Sequence, residues 1–224
     1  MSSVSERATL PAATSRSCCA TLRRAALALL LIMLALGVAA WFAREPLLRG
    51  AADVWIVSDP AAPADAVAIF GGGIEDRPFA AAAYYRQGLV EKILLSNVGP
   101  SRATRLGALE AHVQANREVL LRLGVPEGAI EVFGTDLANT RDEVLALREW
   151  AERTGAHSII VPTEIFSTRR LHWMLHHSFA ADMDIRVPAL DPGGYRRDDW
   201  WKHEGGLINF QNEVLKYFYY RLNY

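Results

Sequence analysis

The chain has almost no cysteine. Cys18 and Cys19 stand side by side near the N-terminus, so no disulfide can brace the residues beyond them, and any folded part must be held by its own core. Net charge is also nearly absent, since 24 Lys and Arg against 25 Asp and Glu leave −1. With no basic stripe interleaved with aromatics, nucleic acid is not expected as a partner. Repeats and low-complexity stretches are missing, which excludes a repeat architecture. Several catalytic signatures are missing too. No Gly-x-Ser-x-Gly elbow occurs, so nucleophilic serine chemistry is unsupported. No Gly-Lys-Ser/Thr follows a glycine loop, and no His-Glu-x-x-His exists to hold zinc.

What is present first is one uninterrupted apolar run, residues 25–43, between Arg23-Arg24 and Arg44. As a helix it spans roughly 28 Å, close to a hydrocarbon core. Arg7, Arg16, Arg23 and Arg24 precede it against the single acid Glu6, and this bias keeps the N-terminus inside. The chain is therefore expected to be a single-pass protein of the cytoplasmic (inner) membrane with its C-terminal part in the periplasm. A cleaved signal peptide is the rival reading, because Val38-Ala39-Ala40 offers small residues; the run, however, is longer than the roughly 7 to 15 residues of a signal core. Cys18 and Cys19 can be acylated beside a membrane, but in a chain already anchored they read as inert thiols. The expected division is a cytoplasmic tail 1–24, an anchor 25–43, a linker 44–64 and a folded domain 65–224, the last large enough for a real core.

From Asp65 onward, short aliphatic runs alternate with helical patterns, the mark of βαβ units around a parallel sheet. Strands are expected at 66–70, 92–96, 129–133, 158–161 and 185–190, and helices at 78–87, 105–123, 140–153, 168–179 and 207–222. Asp76 is a plausible cap for the first of these helices, and Gly155 closes the third. Loops after successive strands gather at the carboxyl edge of such a sheet, where ligand chemistry is expected.

Three loops there carry candidate residues. Gly71-Gly72-Gly73 and Arg77 lie between a strand and a helix start, where backbone N–H groups and the helix dipole suit an anion; a ligand-free tight turn fits equally well. Thr140-Arg141-Asp142-Glu143 has the form of a capping box, which accounts for Thr140 and Glu143, while Asn139 is left facing a ligand. Thr163, Glu164, Ser167, Arg169 and Arg170 surround a helix start where doubled arginines oppose the macrodipole, so either an anion lies nearby or the arginines face water. His172 and His176 are four apart, but without the zinc-helix glutamate they read as a helix flank, and no metal is expected. Trp200-Trp201 and the aromatics of 216–220 read as a final helix burying its rings on the sheet, or as a grouping at lipid headgroups. Glu204 and Glu213 can complete a cleft nearby.

The ordered set of a strand ending in Gly-Gly-Gly, a following arginine, a strand ending in Ser, Gly-Val-Pro, an Asn-Thr helix start and Thr-x-x-aromatic-x-x-x-Arg resembles the YdcF-like family. This is a domain of unknown function that includes envelope proteins of the SanA and ElyC kind. The resemblance covers about residues 65–190 and implies an α/β, Rossmann-like three-layer sandwich with a mostly parallel sheet, here preceded by one N-terminal transmembrane helix. It carries a ligand role onto Gly71, Gly72, Gly73, Arg77, Ser96, Asn139, Thr140, Thr163 and Arg170; Asn97 and Ser167 are drawn in as neighbours. Three departures stand out: Asn97-Val98 where many members have Gly-Gly, Ser167 where many have histidine, and Asp142-Glu143 where many have a carboxylate followed by Asn. The histidine's absence removes the obvious acid or base, leaving Asp142, Glu143 and Glu164 as catalytic candidates.

Two functions are open to such a chain. One is an envelope enzyme, a phosphate-ester hydrolase or transferase, acting on a phosphorylated or lipid-linked intermediate of peptidoglycan or polysaccharide assembly. The other is a non-catalytic module that binds an anionic, nucleotide-like ligand in support of the envelope barrier. The partners expected are a membrane and an anionic small molecule or lipid-linked substrate, with no cofactor; the sequence does not set an oligomeric state.

Overall fold

The computed structural model describes residues 15–224, with side chains from residue 22 onward. The tail residues Glu6 and Arg7 and the side chains of Arg16, Cys18 and Cys19 lie outside the described residues. The chain divides into two compact units at Leu48/Arg49. In the first, helix α1 (Ser15–Phe42) contains a stretch, Leu22–Phe42, that is long and apolar enough to cross a membrane and has none of its residues buried. Helix α2 (Arg44–Trp55) comes next, so much of the segment expected as a linker, 44–64, is helical.

The second unit is α/β. Its five-stranded sheet comprises β1 (Ala66–Ile69), β2 (Ile93–Val98), β3 (Ile130–Leu137), β4 (Ser158–Ile160) and a further strand, Asp184–Arg186, at the edge beside β4. The spatial order runs β3, β2, β1, β4 and then that edge strand, all parallel. Every residue of β1 is buried, which is why it reads as a continuous apolar run: both faces are covered. Val67 and Ile69 face one layer with α3 (Arg77–Arg86), joined by Leu120 of a later helix, His112–Arg122. Ala66, Ala68 and Phe70 face the other, with Val144 and Leu147 of Thr140–Thr154 and Leu171 and Leu175 of Thr168–Ser178.

Two expectations are corrected. The helix expected over 105–123 is two helices, α4 (Arg102–Arg105) and α5 (His112–Arg122). Ser101 caps α4 by accepting from the Thr104 N–H at 3.1 Å, and Gly107 at φ 73° turns the chain out of helix. The strand expected over 185–190 is also two. Prolines 162 and 188, which lack an N–H, interrupt the ladder, and beyond them a second small sheet pairs β5 (Thr163–Glu164) with Ala189–Leu190. With Asp184–Arg186 as β6 and Ala189–Leu190 as β7, this extension carries Thr163 and Glu164 past the main sheet's carboxyl edge. The remaining helices are α6 (Thr140–Thr154), closed by left-handed Gly155 as expected, α7 (Thr168–Ser178) and α8 (Glu204–Asn223).

Candidate functional site

In an open parallel sheet, ligands gather where the strand order reverses, at the carboxyl ends. Here that point lies between β1 and β4, which are adjacent although β2 and β3 come between them in chain order. A cleft of ≈ 300 Å³ opens there, lined by Gly71, Gly73 and Arg77 after β1, by Thr140 and Glu143 of α6, and by Thr163, Glu164, Ser167 and Arg170 after β4. The three expected loops thus meet in one place. Gly72 and Asn139 line an adjoining groove of ≈ 510 Å³ that shares Gly71, Thr140 and Glu143 with the cleft. Ser96 is buried beneath Glu143, whereas Asn97 lines neither space.

Arg77 clasps two of the loops together. Its Nη2 meets Glu164 Oε2 at 2.6 Å and its Nε donates to Oε1 at 3.1 Å, a two-pronged pair, while Nη1 donates to the carbonyls of Phe70 and Gly71 at 3.1 and 2.9 Å. Nη2 also donates to Thr163 Oγ1 at 3.2 Å. Gly73, at φ 59°, lies directly under this pair: a Cβ there would strike the Glu164 carboxylate and Arg77 Nε. The loop's glycines are accordingly used in part to admit the protein's own ion pair. Burial pushes the Glu164 carboxyl up, but the charge and hydrogen bonds of Arg77, with help from Thr163, hold it below the usual glutamate range.

The start of α6 corrects the capping expectation by one residue. Asn139, not Thr140, is the cap, its Oδ1 accepting from the N–H groups of Arg141 and Asp142 at 2.9 and 3.2 Å. Asn is at least as good a cap as Thr, and the reciprocal carboxylate is Asp142, whose Oδ2 accepts from Ala138 N at 3.1 Å and Asn139 Nδ2 at 3.0 Å. Asn139 is thereby spent on its own helix, as is Asp142. Thr140 and Glu143 are freed to face the cleft.

Glu143 is 5% exposed. Its Oε1 accepts from the Gly71 N–H at 2.5 Å and from the Ser96 hydroxyl at 2.7 Å. Oε2 has no hydrogen-bond partner among the described residues. Burial pushes this carboxyl up, and the opposing pull of Gly71, Ser96, Arg77 and Arg170 does not cancel it. Glu143 therefore keeps its proton to a higher pH than an ordinary glutamate.

The doubled arginines part company. Arg169 donates to the carbonyls of Val54 and, at 3.0 Å, Trp55, which are last-turn carbonyls of α2 without an onward helical partner. Arg170 turns into the cleft, its Nε donating to Glu213 Oε2 at 2.7 Å and its Nη1 to Thr140 Oγ1 at 3.1 Å. Lys216 Nζ donates to the other Glu213 oxygen at 2.9 Å. The anion that resolves the clash of Arg170 with the macrodipole is thus Glu213. Asn209, Glu213 and Lys216 form the wall from α8; Asn209 and Lys216 were not expected there. Their i, i+4, i+7 spacing is a single helical face, the one signal that marks them.

Elsewhere, His172 and His176 stack with centroids 3.9 Å apart, and His172 Nε2 lies 3.8 Å from Asp59. No group of three or more His, Cys, Asp or Glu suited to a metal occurs among the described residues. Part of the C-terminal aromatic set is buried: Phe166 stacks on Tyr195 and meets Trp200 and Phe210 edge-on, with Trp200 and Tyr220 in the core. No family model and no curated protein matches the chain.

Proposed function

We propose that this protein is a single-pass inner-membrane protein, N-terminus inside, whose periplasm-facing Rossmann-like domain of the YdcF-like kind processes a phosphorylated or lipid-linked intermediate of wall or polysaccharide assembly. The observation that carries the reading is Glu143. A carboxyl group held by two donors on one oxygen, with the other oxygen open in a cleft walled by Arg77, Arg170 and Lys216, is arranged for proton transfer. Of the three catalytic candidates it is the one left: Asp142 serves its own helix cap and Glu164 is clasped by Arg77.

The chemistry rests on charge. Three cations line the cleft against the carboxylates of Glu143, Glu164 and Glu213, so with Glu143 protonated the cleft carries one net positive charge and accepts an anion. A phosphoryl group seated between Arg77 and Arg170 has its developing charge neutralised there. As a water oxygen bonds to phosphorus and the bond to the leaving oxygen breaks, Glu143 delivers its proton to that oxygen; the proton shed by the attacking water passes to solvent, from which Glu143 is reprotonated. The Gly71 N–H is already held by Glu143, so the N–H groups of Gly72 and Gly73 are the ones open to phosphate oxygens.

The test is phosphate release from isoprenoid and sugar phosphates by the full chain in detergent, with ligand binding followed by thermal shift. Glu143→Gln is expected to keep binding and lose about 100-fold or more in turnover. Turnover unchanged in that variant overturns the assignment. The loss of the histidine that many YdcF-like members carry, with Ser167 standing in its place on the cleft wall, favours the second reading, a non-catalytic anion-binding module. Binding without turnover in the wild type selects it.

A further inference from the structure

Helix α8 presents two unlike faces. One, through Asn209, Glu213 and Lys216, is a wall of the cleft. About 130° around the helix runs an apolar stripe: Ile208, Leu215, Tyr219 and Leu222 at i, i+7, i+11 and i+14, with Phe218 at its edge. These side chains are 49 to 83% exposed, Leu215 at 69% and Leu222 at 83%. Across the helix's 20 residues, just Gly206, Glu213 and Tyr220 are buried. The domain's core therefore does not account for the stripe, and a water-facing helix has no use for it.

We propose that this stripe docks on the phospholipid surface, so that α8 lies in the bilayer interface and the cleft walled by its other face opens at headgroup level. The inference rests on the anchoring of the proposed function, and chain length argues for the occupant. Residues 43–48 alone separate the end of α1 at Phe42 from the folded unit beginning at Arg49. Fully extended, they reach about 20 Å, so an anchored domain begins close to the lipid and never diffuses away from it. The stripe has the composition of an interfacial helix: leucine, isoleucine and aromatic rings on one side, with Lys216 and Arg221 on the remaining surface. The sequence left the C-terminal aromatics open between core and lipid; the structure divides them, with Trp200 and Tyr220 inside and Phe218 and Tyr219 outside.

The test uses the full chain with Cys18 and Cys19 changed to Ser, reconstituted in phosphatidylethanolamine and phosphatidylglycerol vesicles. A polarity-sensitive fluorophore is placed by Leu215→Cys, by Leu222→Cys, or by Gln114→Cys on α5 in the opposite layer. Flotation with the vesicles reports the anchor, and quenching by nitroxide-labelled lipids reports docking. Quenching and a blue shift at positions 215 and 222, absent at 114, are expected. Flotation with 215 and 222 no more quenched than 114 overturns the docking while leaving the anchor intact. A blue shift that grows with protein density and ignores the nitroxide lipid overturns it in favour of a second copy of the chain. Failure to float overturns the anchoring and the docking with it.

Discussion

Glu143 takes the backbone N–H of Gly71 at 2.5 Å from 72 residues further along the chain. With Ser96 on the same oxygen, this one carboxyl joins the ends of β1 and β2 to the first turn of α6. The β1 loop and α6 are two of the cleft's walls and β2 lies beneath them, so the group best placed for chemistry also fixes the geometry around it. Burying it costs stability unless it keeps its proton.

That cost has a sign that can be measured. Unfolded, Glu143 titrates in the ordinary glutamate range; folded, it holds its proton to higher pH because of burial. Between those two values the native state binds more protons than the unfolded state, so stability falls as pH rises through the window, and the deficit persists above it. Glu143→Gln keeps an oxygen acceptor for Gly71 and Ser96 and cannot ionise. Chemical denaturation is expected to show the variant more stable than wild type at about pH 8, with the gap closing toward about pH 4. A gap that is constant or reversed rules out the buried, proton-holding carboxyl.

Glu164 titrates the other way. Its carboxyl is held below the usual range in spite of burial, chiefly by Arg77. Its stabilisation is therefore fully present above the unfolded value and is lost as pH falls through the folded one. The two side chains are 11% and 13% exposed, so Glu164→Gln leaves a guanidinium buried without its counter-charge. The expected loss at neutral pH is about 3 kcal/mol, the low end for a broken buried pair. In acid the difference shrinks, since wild-type Glu164 protonates as well. A loss under about 1 kcal/mol at neutral pH means the pair behaves as a surface one.

Much of this was legible in the residues, and what was not has local causes. The strands β1, β2 and β4 are apolar runs that only a sheet covered on both faces explains, and the loops after them converge because parallel strands place their carboxyl ends together. Prolines 162 and 188 were visible, but that both fall at the same level of neighbouring strands emerges only from their pairing. Of the wall from α8, Glu213 was legible as a residue able to complete a cleft, whereas Asn209 and Lys216 were hidden because they lie far from any strand end, and a helical face declares itself polar without saying what it faces. Thr140 and Glu143 fit a capping box by spacing, yet Asn139, one residue earlier, competes for the same role and wins it.

The capping register separates two variants that sequence alone would rank the other way. Asn139→Ala removes the acceptor for two backbone N–H groups and is expected to cost about 1 kcal/mol of stability with the cleft chemistry intact. Thr140→Ala removes no cap; it deletes the hydroxyl that accepts from Arg170 Nη1. That change is expected to leave the unfolding free energy within about 0.5 kcal/mol of wild type and to weaken phosphate binding in the thermal-shift assay. If Thr140→Ala is the more destabilising of the two, Thr140 and not Asn139 caps the helix.

Gly73→Ala tests whether the glycine loop serves the ion pair that covers it. At φ 59° an alanine is strained, and its Cβ meets both the Glu164 carboxylate and the Arg77 side chain. Relief requires moving Arg77, which also holds the carbonyls of Phe70 and Gly71, so the damage is expected to spread into the cleft. The expected loss is about 2 kcal/mol, backbone strain plus the disturbed pair, and it should be smaller in the Glu164→Gln background, where the pair is already broken. A double-mutant cycle measures this directly. Additive losses mean that Gly73 is required by its backbone conformation alone, whereas a coupled cycle ties the glycine to the Arg77 clasp that joins the loops after β1 and β4.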